Sequence, residues 1–306
     1  MILTFKEIIG NEKIKNMLDE SINNNNILHS YIFIGQVGIG KYLIAEEFAK
    51  GILCQGSDKK PCGMCKSCIE FEGKNNPDFL VINPDGNSIK INQIRVMNEK
   101  IFEKPVISNR KVYIINDAEY MTKEAQNSLL KTLEEPPEYA IFILICNQKG
   151  KILTTIQSRC MNIDFVNLSS EQIKQYCIKN NIVIPDQVLK FSEGSISKTM
   201  ERLEYASVYE QLENLMNNVE KMSKLDFLNS EFIYQYKDNI KDLLNVMNII
   251  LWNIAKTKDN SINYLNCVNI VERTKERLNL NGNFDMNIDN LLLDMWEEIN
   301  ETNSWS

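Results

Sequence analysis

The fold is decided by one stretch near the amino terminus, residues 31–42, which read YIFIGQVGIGKY. Four apolar residues with strand character come first, and a helical pattern over Lys41–Leu53 follows them. The loop between them has the spacing G-x4-G-K. In a strand–loop–helix context, backbone N–H groups and the start of the helix can surround a phosphate, and the lysine reaches the outer phosphates. The stretch therefore predicts a phosphate-binding loop made by Gly35, Gly38, Gly40 and Lys41.

Two positions depart from what ATP hydrolysis requires. In active ATPases of this type a Ser or Thr hydroxyl after the lysine holds Mg²⁺, but here the residue is Tyr42. A second apolar strand should end in acidic residues, yet Val112–Ile115 is followed by the amide Asn116 and only then by Asp117. Asp117 remains a candidate replacement acid. The changes predict a nucleotide fold that does not hydrolyse ATP and binds it weakly or not at all.

Short apolar runs alternate with helical patterns through the first half of the chain. Strands are predicted at Tyr31–Ile34, Phe79–Ile82, Val112–Ile115, Ile141–Cys146 and Met161–Phe165, and helices at Lys41–Leu53, Ile91–Phe102 and Thr122–Glu134. Strands that alternate with helices form a parallel sheet covered on both faces. We therefore expect an α/β domain with a five-stranded parallel sheet over residues 1–166.

Beyond Phe165 the strand signal stops and only helical periodicity continues. Ser169 is a candidate helix N-cap and Gly194 a candidate break, which indicates a small helical unit over residues 167–206. Longer helices are predicted in the remainder, residues 207–306, at Val208–Met222, Phe232–Lys256, Ile262–Leu280 and Ile288–Ile299. The chain should therefore contain an α/β part, a small helical part and an all-helical part.

Four of the eight cysteines fall close together, with the spacing C-x7-C-x2-C-x2-C at Cys54, Cys62, Cys65 and Cys68. Two-residue spacers let thiolates turn onto one ion, and four thiolates are typical of a structural zinc site with no open position. Iron–sulfur proteins share part of this spacing, but this sequence lacks the downstream Cys-Pro of the bacterial iron–sulfur pattern. Four unrelated thiols are the remaining alternative. The spacing favours structural Zn²⁺.

Composition and charge exclude several classes of protein. The 306 residues are 43% hydrophobic and 25% charged, as in soluble globular proteins. A formal net charge of −7 disfavours nucleic-acid binding through the whole surface. The sequence contains no run of eighteen apolar residues that would span a membrane, and its start does not resemble a signal peptide. These features predict a cytoplasmic protein without membrane attachment.

A single arginine stands in the segment after the fourth predicted strand, within Ser158-Arg159-Cys160. No other arginine lies between Arg110 and Arg202. An arginine at the edge of a nucleotide domain can reach a γ-phosphate bound to another subunit and stabilise the charge of the transition state. A surface arginine in an ion pair within its own chain is the alternative, which the residues alone favour.

Together these stretches resemble the AAA+ clamp-loader subunits of bacterial DNA polymerase III. The resemblance rests on FKEIIGN at Phe5–Asn11, the run His29–Gly35, the four-cysteine insertion, KINQIR at Lys90–Arg95, the block Val112–Pro137 and Ser158-Arg159-Cys160. The last hundred or so residues match this family only in being helical.

What the resemblance implies is a P-loop domain, a helical lid at 167–206 and an oligomerisation collar at 207–306. It implies zinc on the four clustered cysteines. It also implies that Arg159 acts in trans on ATP held by a neighbouring motor subunit, with Ser158 and Cys160 beside it at the interface. The implied partners are the motor (tau/gamma) subunits, the clamp-opening delta subunit, and, through the complex, the sliding clamp and primed DNA.

The resemblance leaves two members of the family to distinguish. Tyr42, Asn116 and Ser197, the last where motor subunits carry an arginine, indicate the subunit that does not hydrolyse ATP. The alternative is a catalytically active motor subunit of the tau/gamma type with an unusual loop. A free-standing zinc-containing nucleic-acid binder is disfavoured by the charge of −7.

Overall fold

A computed structural model describes residues 4–57, 59–258, 261–280 and 282–300. The chain forms two compact units, Met1–Ile182 with Glu193–Lys198, and Val183–Ser192 with Thr199–Ser306. The sheet and the predicted phosphate, metal and arginine positions all belong to the first unit. Among the described residues, no helix is both long and apolar enough to cross a membrane.

The first unit is built on a five-stranded sheet in which all neighbouring strands are parallel. The spatial order is β2-β3-β4-β1-β5, with β1 at Ser30–Ile34, β2 at Phe79–Ile82, β3 at Lys111–Ile115, β4 at Ala140–Cys146 and β5 at Met161–Asp164. The predicted parallel five-stranded sheet is confirmed. Because the strands are parallel, the loops after β1, β3 and β4 meet at one edge.

Helices precede, connect and follow these strands. They are α1 at Glu12–Asn23, α2 at Lys41–Leu53, α3 at Lys66–Glu72, α4 at Ile91–Ile101, α5 at Lys123–Glu134, α6 at Thr154–Gln157 and α7 at Ser170–Lys179. The Thr122 hydroxyl caps α5 by accepting a hydrogen bond from Ala125 N at 3.2 Å. Pro136-Pro137 follows, where a helix cannot continue.

The central strand β4 shows how the sheet is covered on both faces. Every residue of β4 is buried. Its even-numbered residues contact one apolar core that includes α4 and α5, and its odd-numbered residues contact a second core that includes α1 and α2. A strand between two helical layers must be apolar at successive positions. This is why the run AIFILIC does not alternate with polar residues.

The second unit consists of helices around one apolar core, over its described residues. The helices that follow α7 along the chain are α8 at Asp186–Lys190, α9 at Ile196–Leu203, α10 at Ala206–Asn218, α11 at Lys224–Leu228, α12 at Glu231–Gln235, α13 at Ile240–Ala255, α14 at Ser261–Asn279 and α15 at Phe284–Asn300. Residues 301–306, the end of the predicted collar, lie outside the described residues.

One predicted helix is wrong. The sequence predicts a continuous helix over Phe232–Lys256, but α12 ends at Gln235 and α13 begins at Ile240, with a short 3-10 turn at Lys237–Asn239 between them. Asp and Asn side chains compete with helical hydrogen bonding of the backbone. The apolar periodicity on either side concealed this interruption.

Candidate functional site

The loop between β1 and α2 contains two glycines in the left-handed backbone conformation. Gly38 and Gly40 have φ angles of 77° and 92°, which a residue with a Cβ adopts only at a cost. A Cβ on Gly38 would also collide with the side chains of Ser195 and Ser197. In addition, the Ile196 N–H donates to the Gly38 carbonyl at 3.0 Å. The conformation and its close neighbours therefore both require glycine at position 38.

The loop lysine, Lys41, is buried and bonded to its own chain. Its Nζ donates to the carbonyl oxygens of Gly35 and Gln36, each at 2.7 Å, and to Oδ1 of Asn147 at 2.8 Å. An ammonium group has three N–H donors, so these three acceptors match its full capacity. Burial lowers the pKa of Lys41, and the nearby Glu119 carboxylate opposes that effect.

Two residues that support Lys41 were missed by the sequence analysis. Asn147 donates from both its backbone N and its Nδ2 to Glu119 Oε1, at 3.0 and 2.7 Å. Glu119 is 8% exposed, and its Oε2 has no hydrogen-bond partner among the described residues. The available signal was position, since Asn147 directly follows β4 and the carboxyl ends of parallel strands are where ligands bind.

A cleft of about 420 Å³ opens beside the loop. The loop supplies Gly38, Gly40 and Lys41 to its lining, but not Gly35. The other lining residues are Val37, Tyr42, Leu43, Asn116, Asp117, Ile145, Asn147, Tyr176, Ile196 and Ser197. The cleft thus joins the predicted phosphate loop to the predicted metal-holding strand end. Arg159 and the clustered cysteines are not part of its lining.

The side chains at the two expected metal-holding positions are a phenol and an amide. Tyr42 lines the cleft, and burial raises the pKa of its hydroxyl. Asn116 follows β3 and donates from Nδ2 to Asp117 Oδ2 at 3.1 Å. Among the described residues that line the cleft, Asp117 alone carries a carboxylate, and burial raises its pKa. An amide and a half-buried phenol are poor substitutes for the hydroxyl and carboxylate that bind Mg²⁺.

The four clustered cysteines come together as their spacing predicts. Their sulfur atoms all lie within 4.8 Å of one another, and Cys54 Sγ and Cys65 Sγ are 4.0 Å apart. Four sulfurs around one Zn²⁺ at about 2.3 Å would be separated by about 3.8 Å. The observed cluster is therefore close to that size, and these residues could hold a zinc ion.

Backbone groups around the cluster favour thiolate ligands. The N–H groups of Gly56 and Cys62 each donate to Cys54 Sγ at 3.3 Å, and Cys65 N donates to Cys62 Sγ at 3.3 Å. Hydrogen bonds from backbone N–H groups lower the pKa of Cys62 to about 6, while burial raises that of Cys54. Metal binding requires deprotonated thiols, so these N–H groups suit a metal site.

Arg159 lies in the turn between α6 and β5. Its Nη2 is 2.5 Å from Glu134 Oε1 at the end of α5, and its Nη1 donates to the Thr155 carbonyl at 2.8 Å. Ser30 Oγ donates to the Arg159 carbonyl at 2.7 Å, which ties the turn to the start of β1. The guanidinium is therefore ion-paired within the chain, but the Arg159 side chain keeps 34% exposure.

The two neighbours of Arg159 differ in accessibility. Ser158 is exposed, and its hydroxyl donates to the Thr155 carbonyl at 3.1 Å. Cys160 is buried beneath the turn, and burial raises the pKa of its thiol to about 11. A buried, protonated thiol packs as a small apolar side chain. Of this motif, Ser158 and Arg159 are thus the residues exposed at the surface.

Comparison with known proteins gives one family and several relatives. A family model described as DNA polymerase III, delta subunit, matches residues 10–169. The DNA polymerase III subunit delta' of Bacillus subtilis is 36% identical over 185 residues, which are 60% of this chain and 56% of that protein. The tau/gamma subunit of Haemophilus influenzae is 35% identical over 206 residues, 64% of this chain and 30% of that protein.

One solved structure has a similar fold. A DNA polymerase III gamma subunit-related protein from Thermotoga maritima superimposes with a TM-score of 0.51 and 20% identity, covering 94% of this chain and 98% of that one. The matches to the Bacillus and Haemophilus relatives span about half and about a third of those proteins. Both types of subunit, delta' and tau/gamma, are thus among the relatives.

Proposed function

The chain belongs to the DNA polymerase III clamp-loader family, and within this family we propose that it is the delta-prime subunit, which does not hydrolyse ATP. In this role it assembles with motor (tau/gamma) and clamp-opening (delta) subunits in the cytoplasm. The complex loads a sliding clamp onto primed DNA. Residues 167–206 serve as the lid and residues 207–306 as the collar that joins the subunits.

The observation that carries this proposal is the pair of altered metal positions in the cleft. A γ-phosphate is transferred only when Mg²⁺ bridges the phosphates and neutralises their developing charge. Tyr42 and Asn116 line the cleft and occupy the sequence positions at which a small hydroxyl and a carboxylate are expected to hold that ion. The bonds from Lys41 to Gly35, Gln36 and Asn147 give further support, because the lysine must leave them to reach a phosphate.

A specific observation also favours the second candidate, an ATPase motor subunit. The cleft keeps Gly38, Gly40 and Lys41, and Asp117 contributes a carboxylate to its wall. Tau/gamma subunits are among the relatives. If Asp117 binds Mg²⁺ in place of the altered positions, the cleft also contains the loop glycines and the lysine that a hydrolytic site uses.

ATP turnover by the purified chain separates the two candidates. We expect none above background, and the same background from the variant Lys41→Ala, which reports any contaminating ATPase. Nucleotide binding, followed by a fluorescent ATP analogue, should be weak or absent. Turnover at about 1 s⁻¹ or faster that disappears in Lys41→Ala would establish the motor candidate instead.

We further propose that Arg159 acts in trans on ATP held by a neighbouring motor subunit, with Ser158 and Cys160 beside it in the interface. Exposure of the guanidinium in a turn anchored to β1 and α5 supports this role. An arginine supplied in trans contributes about 10³–10⁵ to the rate at such a site.

The test is DNA-stimulated ATP hydrolysis by the reconstituted complex. Arg159→Ala should assemble normally and remove most of the hydrolysis at the adjoining site. Arg110→Ala, a partly exposed arginine elsewhere in the same unit, is the matched control and should hydrolyse ATP like the wild type. Wild-type hydrolysis by a fully assembled Arg159→Ala complex would exclude Arg159 from the reaction.

A further inference from the structure

The charged end of Arg159 is held at both of its terminal nitrogens. Nη2 meets Glu134 Oε1 at 2.5 Å and Nη1 donates to the Thr155 carbonyl at 2.8 Å. A guanidinium is planar, so two contacts at different nitrogens set its orientation as well as its position. Arg159 and Glu134 side chains remain 34% and 49% exposed, so the group is oriented without being withdrawn from the surface.

Glu134 and the backbone of Arg159 both belong to well-packed parts of the first unit. Glu134 is the last residue of α5, beside the buried Leu133, and the hydroxyl of Thr132 donates to Asn98 Oδ1 on α4 at 3.0 Å. The backbone of Arg159 is bonded to Ser30 at the start of β1. The acid and the arginine are therefore attached to separate fixed elements, and their separation is set by the packing of the unit.

We infer that Glu134 is the positioning residue for Arg159, and that it holds the guanidinium ready to meet the γ-phosphate of a neighbouring subunit. This inference rests on the proposed role of Arg159. A free arginine side chain samples many rotamers, and ordering it only in the transition state would slow the reaction. Of the five N–H donors of a guanidinium, the two bonds to Glu134 and Thr155 use two, which leaves three for phosphate oxygens.

If the ion pair served only to stabilise the fold, removing Glu134 would change folding or assembly and would have no separate effect on ATP hydrolysis. Pairs between exposed side chains contribute little to folding. Removing Glu134 should therefore leave the folded chain and its assembly unchanged, and a loss confined to ATP hydrolysis would be specific to the positioning role.

The experiment compares steady-state ATP hydrolysis by the complex reconstituted with Glu134→Ala, Glu134→Gln or Glu135→Ala. Glu135 is the adjacent exposed residue and serves as the matched control. We expect Glu134→Ala to lower kcat at the adjoining site on the order of tenfold without changing KM for ATP. Glu134→Gln should lose less, because an amide oxygen still accepts a hydrogen bond. Glu135→Ala should behave like the wild type.

The double variant Glu134→Ala/Arg159→Ala completes the test. It should be no slower than Arg159→Ala alone, because Glu134 acts only through the arginine. An unchanged or increased kcat for Glu134→Ala, with Arg159→Ala slow, would overturn the inference and leave the role of Arg159 intact. A double variant slower than Arg159→Ala would also overturn it. If Arg159→Ala itself is as fast as the wild type, the proposed function of Arg159 fails first.

Discussion

At the scale of single residues, Glu47 on α2 combines burial with an incomplete set of partners. It is 1% exposed, and its Oε2 has no hydrogen-bond partner among the described residues. Burial raises the pKa of Glu47 to about 7, although Lys50 acts in the opposite direction. Ionising this carboxyl inside the folded unit therefore costs more than ionising it in the unfolded chain.

This difference predicts how stability depends on pH. An acid whose pKa is raised by folding binds more protons in the folded state between its unfolded value of 4.5 and about 7, so stability falls as pH rises through that window. The neutral variant Glu47→Gln should be more stable than the wild type at pH 8, by about 1–3 kcal/mol. It should show no such gain at pH 4.5.

Thermal unfolding followed by circular dichroism at the two pH values measures this effect. Glu99→Gln changes an exposed residue of α4 and is the control, since it should follow the wild type at both. Identical pH dependence of Glu47→Gln and the wild type would show that Glu47 is not the group responsible.

Lys41 marks the limit of sequence reasoning at this scale. The glycines and the lysine were predictable because the loop is a continuous stretch with a strand before it and a helix after it. The acceptor Asn147 lies 106 residues further along the chain. Only the pairing of β1 with β4 brings the two together, so the loop motif contained no information about this partner.

At the scale of elements, Asp78 organises the connection from α4 to β3. Its Oδ1 accepts a hydrogen bond from Val106 N, and its Oδ2 accepts from the N–H groups of Ile107 and Ser108, all at 2.7 Å. The side chain is 2% exposed. One carboxylate thus accepts hydrogen bonds from three backbone N–H groups of a loop that has few backbone–backbone hydrogen bonds of its own.

Removing that carboxylate should loosen the loop and destabilise the unit. We expect Asp78→Ala to cost more than about 3 kcal/mol, because three backbone N–H groups lose a charged acceptor. Limited proteolysis should then cleave within residues 104–110. Asp85→Ala, an exposed aspartate in the preceding connection, should unfold and resist cleavage like the wild type. Equal stability of the two variants would contradict the anchoring role of Asp78.

The cysteine module is the second element with a testable property. The helix α3 has 7 residues, too few to be stable by itself, so we propose that a structural zinc ion links it to the end of α2. Purified protein should contain one zinc per chain. Chelation should raise hydrogen exchange over residues 54–72 while the strands stay protected, because the sheet has its own apolar cores.

Variants of single cysteines provide the control for the metal. Cys62→Ser should lose zinc, whereas Cys177→Ala, a buried cysteine outside the cluster, should retain one zinc per chain. Purification without chelators that yields no metal, or iron in place of zinc, would refute the assignment.

Among the elements, the apolar strands were the most predictable part of the fold. Runs such as Ile141–Cys146 are apolar at successive positions because helices cover both faces of the sheet. The interruption between α12 and α13 was not predictable in the same way. Periodic apolar residues on both sides continue across the turn at Lys237–Asn239, so the pattern conceals the local preference of Asp238 and Asn239 for non-helical backbone.

At the scale of the whole molecule, the net charge of −7 predicts how the chain behaves towards DNA. Protein–DNA affinity arises largely from cations that neutralise phosphates. The chain alone should therefore show no saturable binding to a labelled primed duplex at 0.15 M salt up to concentrations of about 10 µM. We expect the assembled complex to bind under the same conditions.

Fluorescence anisotropy measures both cases with one probe. Micromolar or tighter binding by the chain alone would contradict this prediction, and would indicate a local basic surface strong enough to overcome the overall charge.

The sequence by itself determined the features that depend on neighbouring residues: the strand–loop–helix with its glycines, the apolar strands and the cysteine spacing. Tertiary structure alone decided which distant groups share a site. It paired Lys41 with Asn147, Arg159 with Glu134, and Asp78 with three N–H groups of a loop some thirty residues away. The physical reason is that local conformation follows from short-range sterics and periodic burial, whereas contacts between remote side chains depend on how the finished elements pack.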